Sequence, residues 1–599
     1  MSNLLPPAHL LRIAMLVLCI ASAFSHTDAQ TPIYWQNGID GDWFVEGNWV
    51  GRSPTAYDQA IILNGTPYIT TGQAQIQSAI ISVGNLTVSG NGKLDIIGFP
   101  DYYNTAPIEN GSLMIDRSGV VNIRDQAVVT TSFVLINYYS AYPPALNLQG
   151  GTIYTGGIVA RSGYGAPPYV NILNSNGGTI VTTASPAQHN FQDNFFSGIG
   201  TIIISGSGLN SSASALTFDT NGLNITATNN FNFVSDKSGS YRAFEKIGSG
   251  TLTLSGNSDP ASSKGDVYVN NGALSVTGSL RNDYSYIGEN NTQSALGIIE
   301  GNGYWQTSYL KLGLSGNGQL ILKDQATLVV GELWMGVNSS GSGSLNIASD
   351  KARIINYGGA AANINTNDGQ GTVSFTHTGT LTMGNKMSGS HFTLNHDGTG
   401  TTILTGTLSY NGDTNVNAGT LLINGDASTV TTGINVKSGA TFGGSGTVHG
   451  SQNIFSTGSR LTPGAENVVG SLTLNGFTMF NGQGLFDLAS SVSYDHLLGG
   501  TVNITVNATI TVNFLDGFDY QEGQLYSFDL MQGVTGDHLA SIQWQNLSPQ
   551  WSILQDSSLT FTDGTLTFQL LQIPEPHIWA LLSLGSSFLL LFNRRQLGR

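Results

Sequence analysis

The residues with chemical potential are few, and they come mostly as adjacent pairs. Asp116 precedes Arg117, Lys323 precedes Asp324, and Asp350 is followed by Lys351 and Arg353. A polysaccharide lyase or hydrolase needs two or three carboxylates converging on one face, often beside a cation. Neighbours on a strand point to opposite faces, so such pairs do not assemble a site, and solubility is the simpler role. His391 and His396 are five apart and would also face opposite sides of a strand. Asp495-His496 and Asp537-His538 lack a third ligand in sequence. There is no Gly-x-Ser-x-Gly elbow, His-Glu-x-x-His, Walker loop or EF-hand loop. The sequence therefore predicts no catalytic, cofactor-binding or metal residue, no cofactor, and a chain that is not an enzyme.

Composition limits what holds these side chains. Gly accounts for 77 of 599 residues, and charged residues for only 10%. Hydrophobic residues make up 40%, too many for a disordered acidic chain. Abundant Gly, Ser, Thr and Asn suit short strands joined by tight turns. The net charge of −16 disfavours a phosphate backbone, so nucleic acid is not expected as a partner. The single cysteine, Cys19, follows Leu18 where a lipoprotein site would carry a small residue, and the mature chain would hold no disulfide.

Phrases recur along the chain. Tyr286-Ile287-Gly288, Lys311-Leu312-Gly313 and Trp334-Met335-Gly336 place glycines 25 and 23 residues apart. Val416-Asn417-Ala418-Gly419 returns as Val436-Lys437-Ser438-Gly439, and Val269-Asn270-Asn271-Gly272 has the same form. Alternating runs lie between them, including Gln319 to Leu322, Thr327 to Val330 and Ser344 to Ile347. A period of about 20–25 residues with several alternating strands reads as a solenoid coil. One coil cannot bury its apolar face, whereas stacked coils bury it against each other. The expected fold is all-β: a right-handed parallel β-helix over 76–483, roughly 17 coils at about 4.8 Å each. Before it, 30–75 is read as a Trp-rich β cap. After it, the aromatic-rich segment 484–572 is read as a C-terminal β cap or small β-sandwich.

The ends carry addresses. Arg12, the apolar run Ile13 to Phe24 and the small residues Ala21-Ser22-Ala23 and Ala29 form a secretory signal peptide over 1–29. At the other end, Pro574-Glu575-Pro576 precedes an apolar stretch from Ile578 to Phe592 and then Arg594, Arg595 and Arg599. Those 15 residues span about 22 Å as a helix, short against a hydrocarbon core of about 30 Å. Trp579 at one end and arginines at the other suit a transmembrane helix with the arginines in the cytoplasm. This tail resembles the PEP-CTERM sorting signal over 573–599. The resemblance implies a sorting motif at Pro574, Glu575 and Pro576, a membrane-stop cluster at Arg594, Arg595 and Arg599, and an exosortase that cuts near the motif. The implied partners are exosortase, the Sec export machinery and, transiently, the inner membrane. Extracellular polysaccharide is a further candidate.

The body also resembles the autotransporter-associated β-strand repeat. Gly248 to Gly256 with Val269 to Leu274, and Thr407 to Gly425, carry the resemblance. Phe218-Asp219-Thr220-Asn221-Gly222, Leu461-Thr462-Pro463-Gly464 and Gly470 to Gly476 are similar to other parts of that class. Trp35, Asp40-Gly41-Asp42-Trp43, Asn48-Trp49, Pro54 and Asp58 resemble its opening segment. The family implies a passenger-like stalk. The tryptophans could stack on sugars, but aromatics at a solenoid end more often cap the core. Together these readings describe an exported, exosortase-sorted bacterial surface or extracellular protein, structural or adhesin-like and associated with matrix. The alternative is a β-helix carbohydrate-active enzyme or glycan-binding protein.

Overall fold

The computed structural model describes residues 31–36, 38–97, 111–138, 144–162, 173–184, 191–199, 201–205, 214–234, 241–258, 265–290, 294–505, 507–535, 541–555 and 559–573. Among the described residues the helical pieces are 3-10 turns at Glu46–Asn48 and Phe191–Asp193, and the rest of the regular structure is strand. The chain divides into two compact units, Met1–Asp266 and Val267–Arg599.

The first unit is a parallel solenoid whose turns give one strand to each of three sheets. One turn runs Asp58–Ile62, Thr66–Ile69 and Gln73–Ile76, and the next runs Ser78–Ile81, Asn85–Val88 and Lys93–Ile96. Strict alternation puts every second side chain inside. Along one sheet Ile62, Ile81, Ile115 and Ile136 pair in register, each with no exposed surface. Along another, Ile69, Val88, Ile123 and Leu148 do the same. The segment read as a separate Trp-rich cap already belongs to this ladder, because Thr31–Tyr34 pairs in parallel with Asp58–Ile62. Trp35, Trp43 and Trp49 are buried edge to face, with ring centroids 4.9 and 4.6 Å apart. Two of the indole N–H groups are satisfied internally: Trp35 donates to the Ile39 carbonyl and Trp49 to the Trp43 carbonyl.

In the second unit the sequence repeats become spatial ones. Tyr286, Lys311 and Trp334 are paired in register, as are Ile287, Leu312 and Met335. Gly288, Gly313 and Gly336 follow them with φ of +77°, +68° and +54°. At Gly313 an added Cβ would lie 2.1 Å from the Ser342 carbonyl oxygen of the next coil. The glycine thus serves twice, for the left-handed turn and for the close approach of coils. A second sheet stacks Leu320, Leu345, Val373 and Leu394 inward. Its outward positions include Leu296, Ile298 and Ile321 as well as Ser344, Thr372 and Thr393, and Asn395, Asn415 and Asn435 form a carboxamide ladder with links of 3.0 and 3.2 Å.

Parallel stacking continues past residue 483. Gln483–Leu488 pairs with Thr509–Phe514, which pairs with Ser541–Gln545. Interleaved with these coils is an antiparallel sheet, in which Thr565–Gln572 pairs with Leu525–Asp529, Trp551–Ile553 and Thr560–Thr562. Phe514, Phe518, Tyr526, Phe528 and Phe568 pack where the two meet. The aromatic density of 484–572 therefore marks coils and antiparallel sheet packed together rather than a free-standing sandwich. Among the described residues no helix is long and apolar enough to cross a membrane. The segment 1–29, read as a signal peptide, and the apolar stretch 578–592 lie outside the described residues.

Candidate functional site

The acid–base pairs of the sequence do not converge. Asp324 sits at a turn with φ +51°, and its carboxylate accepts from the Gly301 N–H at 2.9 Å. Lys323 turns away from it to Glu300, at 3.2 Å. Arg117 is likewise a turn residue, with φ +52°, and reaches Asp116 only at 3.7 Å. Arg117, Lys323 and Asp324 lie between strands and Asp116 closes the strand Ser112–Asp116, so the reason they form no site is dispersal between coils. Among the described residues, no three of His, Cys, Asp and Glu gather in a group able to hold a metal ion. Pro574, Glu575, Pro576, Arg594, Arg595 and Arg599 lie outside the described residues, as do Asp537 and His538.

Burial assembles groups that spacing does not reveal. His396 ends the strand Phe392–His396 and points into the core, while His391, just before that strand, is exposed. In the core His396 meets His377, with ring centroids 5.9 Å apart. The His377 ring contacts the Gly379 carbonyl and the Thr402 hydroxyl, and the His396 Nδ1 lies 2.8 Å from the Ala418 carbonyl. Burial lowers both imidazoles from their ordinary value. Asp495 is fully buried and accepts from the Gly470 N–H at 2.7 Å and the Asp487 N–H at 2.9 Å. Desolvation pushes its carboxyl up to about 8 despite those bonds. Neighbouring Asp487 is also raised by burial, against the bond from Asn513. In the first unit Lys246 is buried, donates to the Ile247 and Gly248 carbonyls at 2.8 Å each, and is lowered to about 8 by desolvation. These groups are internal brackets, closed off from a substrate by their own coils.

What faces outward is an aromatic strip on one sheet of the second unit. Tyr284, Tyr286, Tyr304, Tyr309 and Trp334 are half-buried there, and Tyr357 is 54% exposed. Tyr284 and Tyr309 stack at 5.0 Å and 6°, and Tyr268 and Tyr286 at 4.4 Å and 7°. Stacking follows from parallel in-register pairing, which puts like side chains one coil apart. Hydrogen bonds fix the polar edges. Trp334 donates to Glu332 at 2.9 Å, Tyr304 to the side-chain amide Oε1 of Gln306 at 2.7 Å, and Tyr357 to Ser308 at 3.1 Å. The Lys311 ammonium lies 5.3 Å from the Tyr286 ring centre, and the Arg281 guanidinium 4.6 Å from that of Tyr304. Two of these rings belong to the repeated phrases, but the strip itself was not read from the sequence. Its signal was an aromatic at outward strand positions one period apart.

Comparison with known proteins adds a family relation for part of the chain. Residues 244–276 and 394–423 match the Passenger-associated-transport-repeat family. Both segments overlap the stretches on which the sequence resemblance rests, and 394–423 runs through strands of stacked coils. No curated protein matches. Among solved structures, the Hap adhesin of Haemophilus influenzae aligns over 88% of this chain and 65% of its own, at 11% identity and a TM-score of 0.29. The chain thus spans under two thirds of that structure's length. The two matched segments thus lie in all-β structure built of parallel stacked strands.

Proposed function

We infer that this chain is an exported bacterial surface or extracellular protein with a structural or adhesin-like role, sorted by exosortase through its C-terminal tail. The observation that carries the reading is the passenger-type repeat built into a parallel solenoid. Such a fold presents long, regular outer faces, which suits display and attachment better than turnover. The tail supports sorting through Pro574-Glu575-Pro576, the apolar stretch to Phe592, and Arg594, Arg595 and Arg599. The N-terminal signal agrees with it, since both direct the body across the same membrane. In this reading the inner membrane holds a precursor, and the mature body associates with matrix at the cell surface or beyond it.

Mass spectrometry of the exported form in the native host tests the proposal. The expected C-terminus lies near Pro574. An exported form that retains Arg599 would remove the sorting reading.

A further inference from the structure

We propose that the end of the antiparallel sheet at Leu525, Leu571 and Ile573 rests on a lipid bilayer while the C-terminal tail is inserted in it. The inference rests on the membrane-held precursor described above and adds the surface by which the body meets that membrane.

The outer face of this sheet changes character along its length. In Thr565–Gln572 the side chains of Leu566, Phe568 and Leu570 are buried, so Thr565, Thr567, Gln569 and Leu571 look outward. Residues directly opposite each other in an antiparallel pair share a face. Asp529 stands opposite Thr565, Ser527 opposite Thr567, and Leu525 opposite Gln569. One end of the face is therefore polar, and the end nearest the tail carries Leu525 and Leu571. These two are 55% and 46% exposed, and Ile573, just past the strand, is 44% exposed. Beyond Val492 they are the exposed large hydrophobic side chains among the described residues. Single exposed ones are ordinary, but three together where the chain leaves the sheet form an apolar lip.

The chain that follows points to the occupant. The Ile573 N–H donates to the Gln550 carbonyl at 2.7 Å, which ties the last described residue to the body. The apolar stretch begins at Ile578. Five residue steps span at most about 18 Å, so an inserted tail keeps the lip within that distance of the hydrocarbon. The contact is apolar rather than ionic. Between Arg460 and Arg594 there is no Lys or Arg, and Glu522, bridged to Leu570, is exposed beside the lip. A zwitterionic lipid surface suits these groups, whereas anionic headgroups repel the carboxylate. Three side chains alone hold a bilayer weakly, and the short tether supplies the effective concentration that makes the contact persist. The contact holds Pro574-Glu575-Pro576 at the bilayer surface.

Fluorescence quenching on the full chain tests this. A chain with Cys19→Ser and Ser552→Cys, labelled at the new thiol, is reconstituted into phosphatidylcholine vesicles that contain lipids with headgroup-level nitroxides. Ser552 stands opposite Leu571. A label at Thr562→Cys is the control, because Thr562 stands opposite Thr565, about 20 Å back along the sheet. Quenching at 552 is expected to exceed that at 562 several-fold, and to fall when phosphatidylglycerol replaces phosphatidylcholine. Leu525→Ser with Leu571→Ser should make the two labels equal while the chain still floats with the vesicles. Should that double variant lose its melting transition, Ile573→Ser alone carries the test. Equal quenching at both sites before substitution, quenching at 552 that survives the substitutions, or a label shielded by a second copy without vesicles overturns the proposal. Flotation by itself reads tail insertion. A chain that does not float removes the membrane-held precursor and the proposal with it, whereas a floating chain with an unquenched label removes the proposal alone.

Discussion

Single residues in this solenoid work through turn geometry and burial. Gly313 combines φ of +68° with a Cβ position blocked by Ser342, whereas Gly301 has φ of +64° and open space around it. Gly301→Ala should therefore lower stability by about 1–3 kcal/mol through backbone strain alone, and Gly313→Ala by clearly more, because its Cβ also meets Ser342. Denaturant unfolding of both variants separates strain from collision. The buried titratable groups make two opposite pH predictions. His377 and His396 are lowered in the folded state, so the unfolded chain takes up protons more readily near their ordinary value of 6.5. Stability from this pair is present above that value and lost on acidification. Asp495 is raised from 3.8 to about 8, so the folded chain keeps a proton that the unfolded chain has released. Stability from Asp495 falls as pH rises across that window. Melting midpoints from pH 4 to 9 should show His396→Phe flattening the acid side and Asp495→Asn the alkaline side. Unchanged profiles in both variants would contradict the burial argument.

Elements here are strands that are stable only against the strands of adjacent coils. Leu320 lies in a column with Leu345, Val373 and Leu394 and has no exposed surface. Leu320→Ala should cost about 2–5 kcal/mol, and Leu320→Asp more, because it places an unpaired charge between coils. A melting curve identical to wild type would mean the column is not packed. The outward Asn395–Asn415–Asn435 ladder is exchanged against water, so Asn415→Ala should cost only about 1 kcal/mol. The alternation that set Leu320 inward was readable in Gln319-Leu320-Ile321-Leu322, as was the stacking of the three phrases that end in an apolar residue and Gly. Coil boundaries at the ends were not. Aromatic-rich segments look like caps in sequence, but pairing partners decide, and Thr31–Tyr34 and Thr509–Phe514 find parallel neighbours.

At the scale of the molecule, the described body depends on contacts between successive coils. Truncation after Ile573 should leave the far-UV β signal of the purified chain unchanged while abolishing its normal destination in the native host. Loss of the β signal on truncation would contradict this. What the sequence determined by itself was local and periodic: the inward face of each strand, the glycine turns, the all-β solenoid and the chemistry of the two ends. These follow from alternation and φ preference, which need no distant partner. What only the tertiary structure decided was which residues meet across a coil, because parallel stacking joins positions about 20–25 residues apart. It brought His377 to His396 and Tyr284 to Tyr309. It also withdrew Trp35, Trp43 and Trp49 from solvent. Exposure depends on the packing of neighbouring coils, and a single chain position does not carry that information.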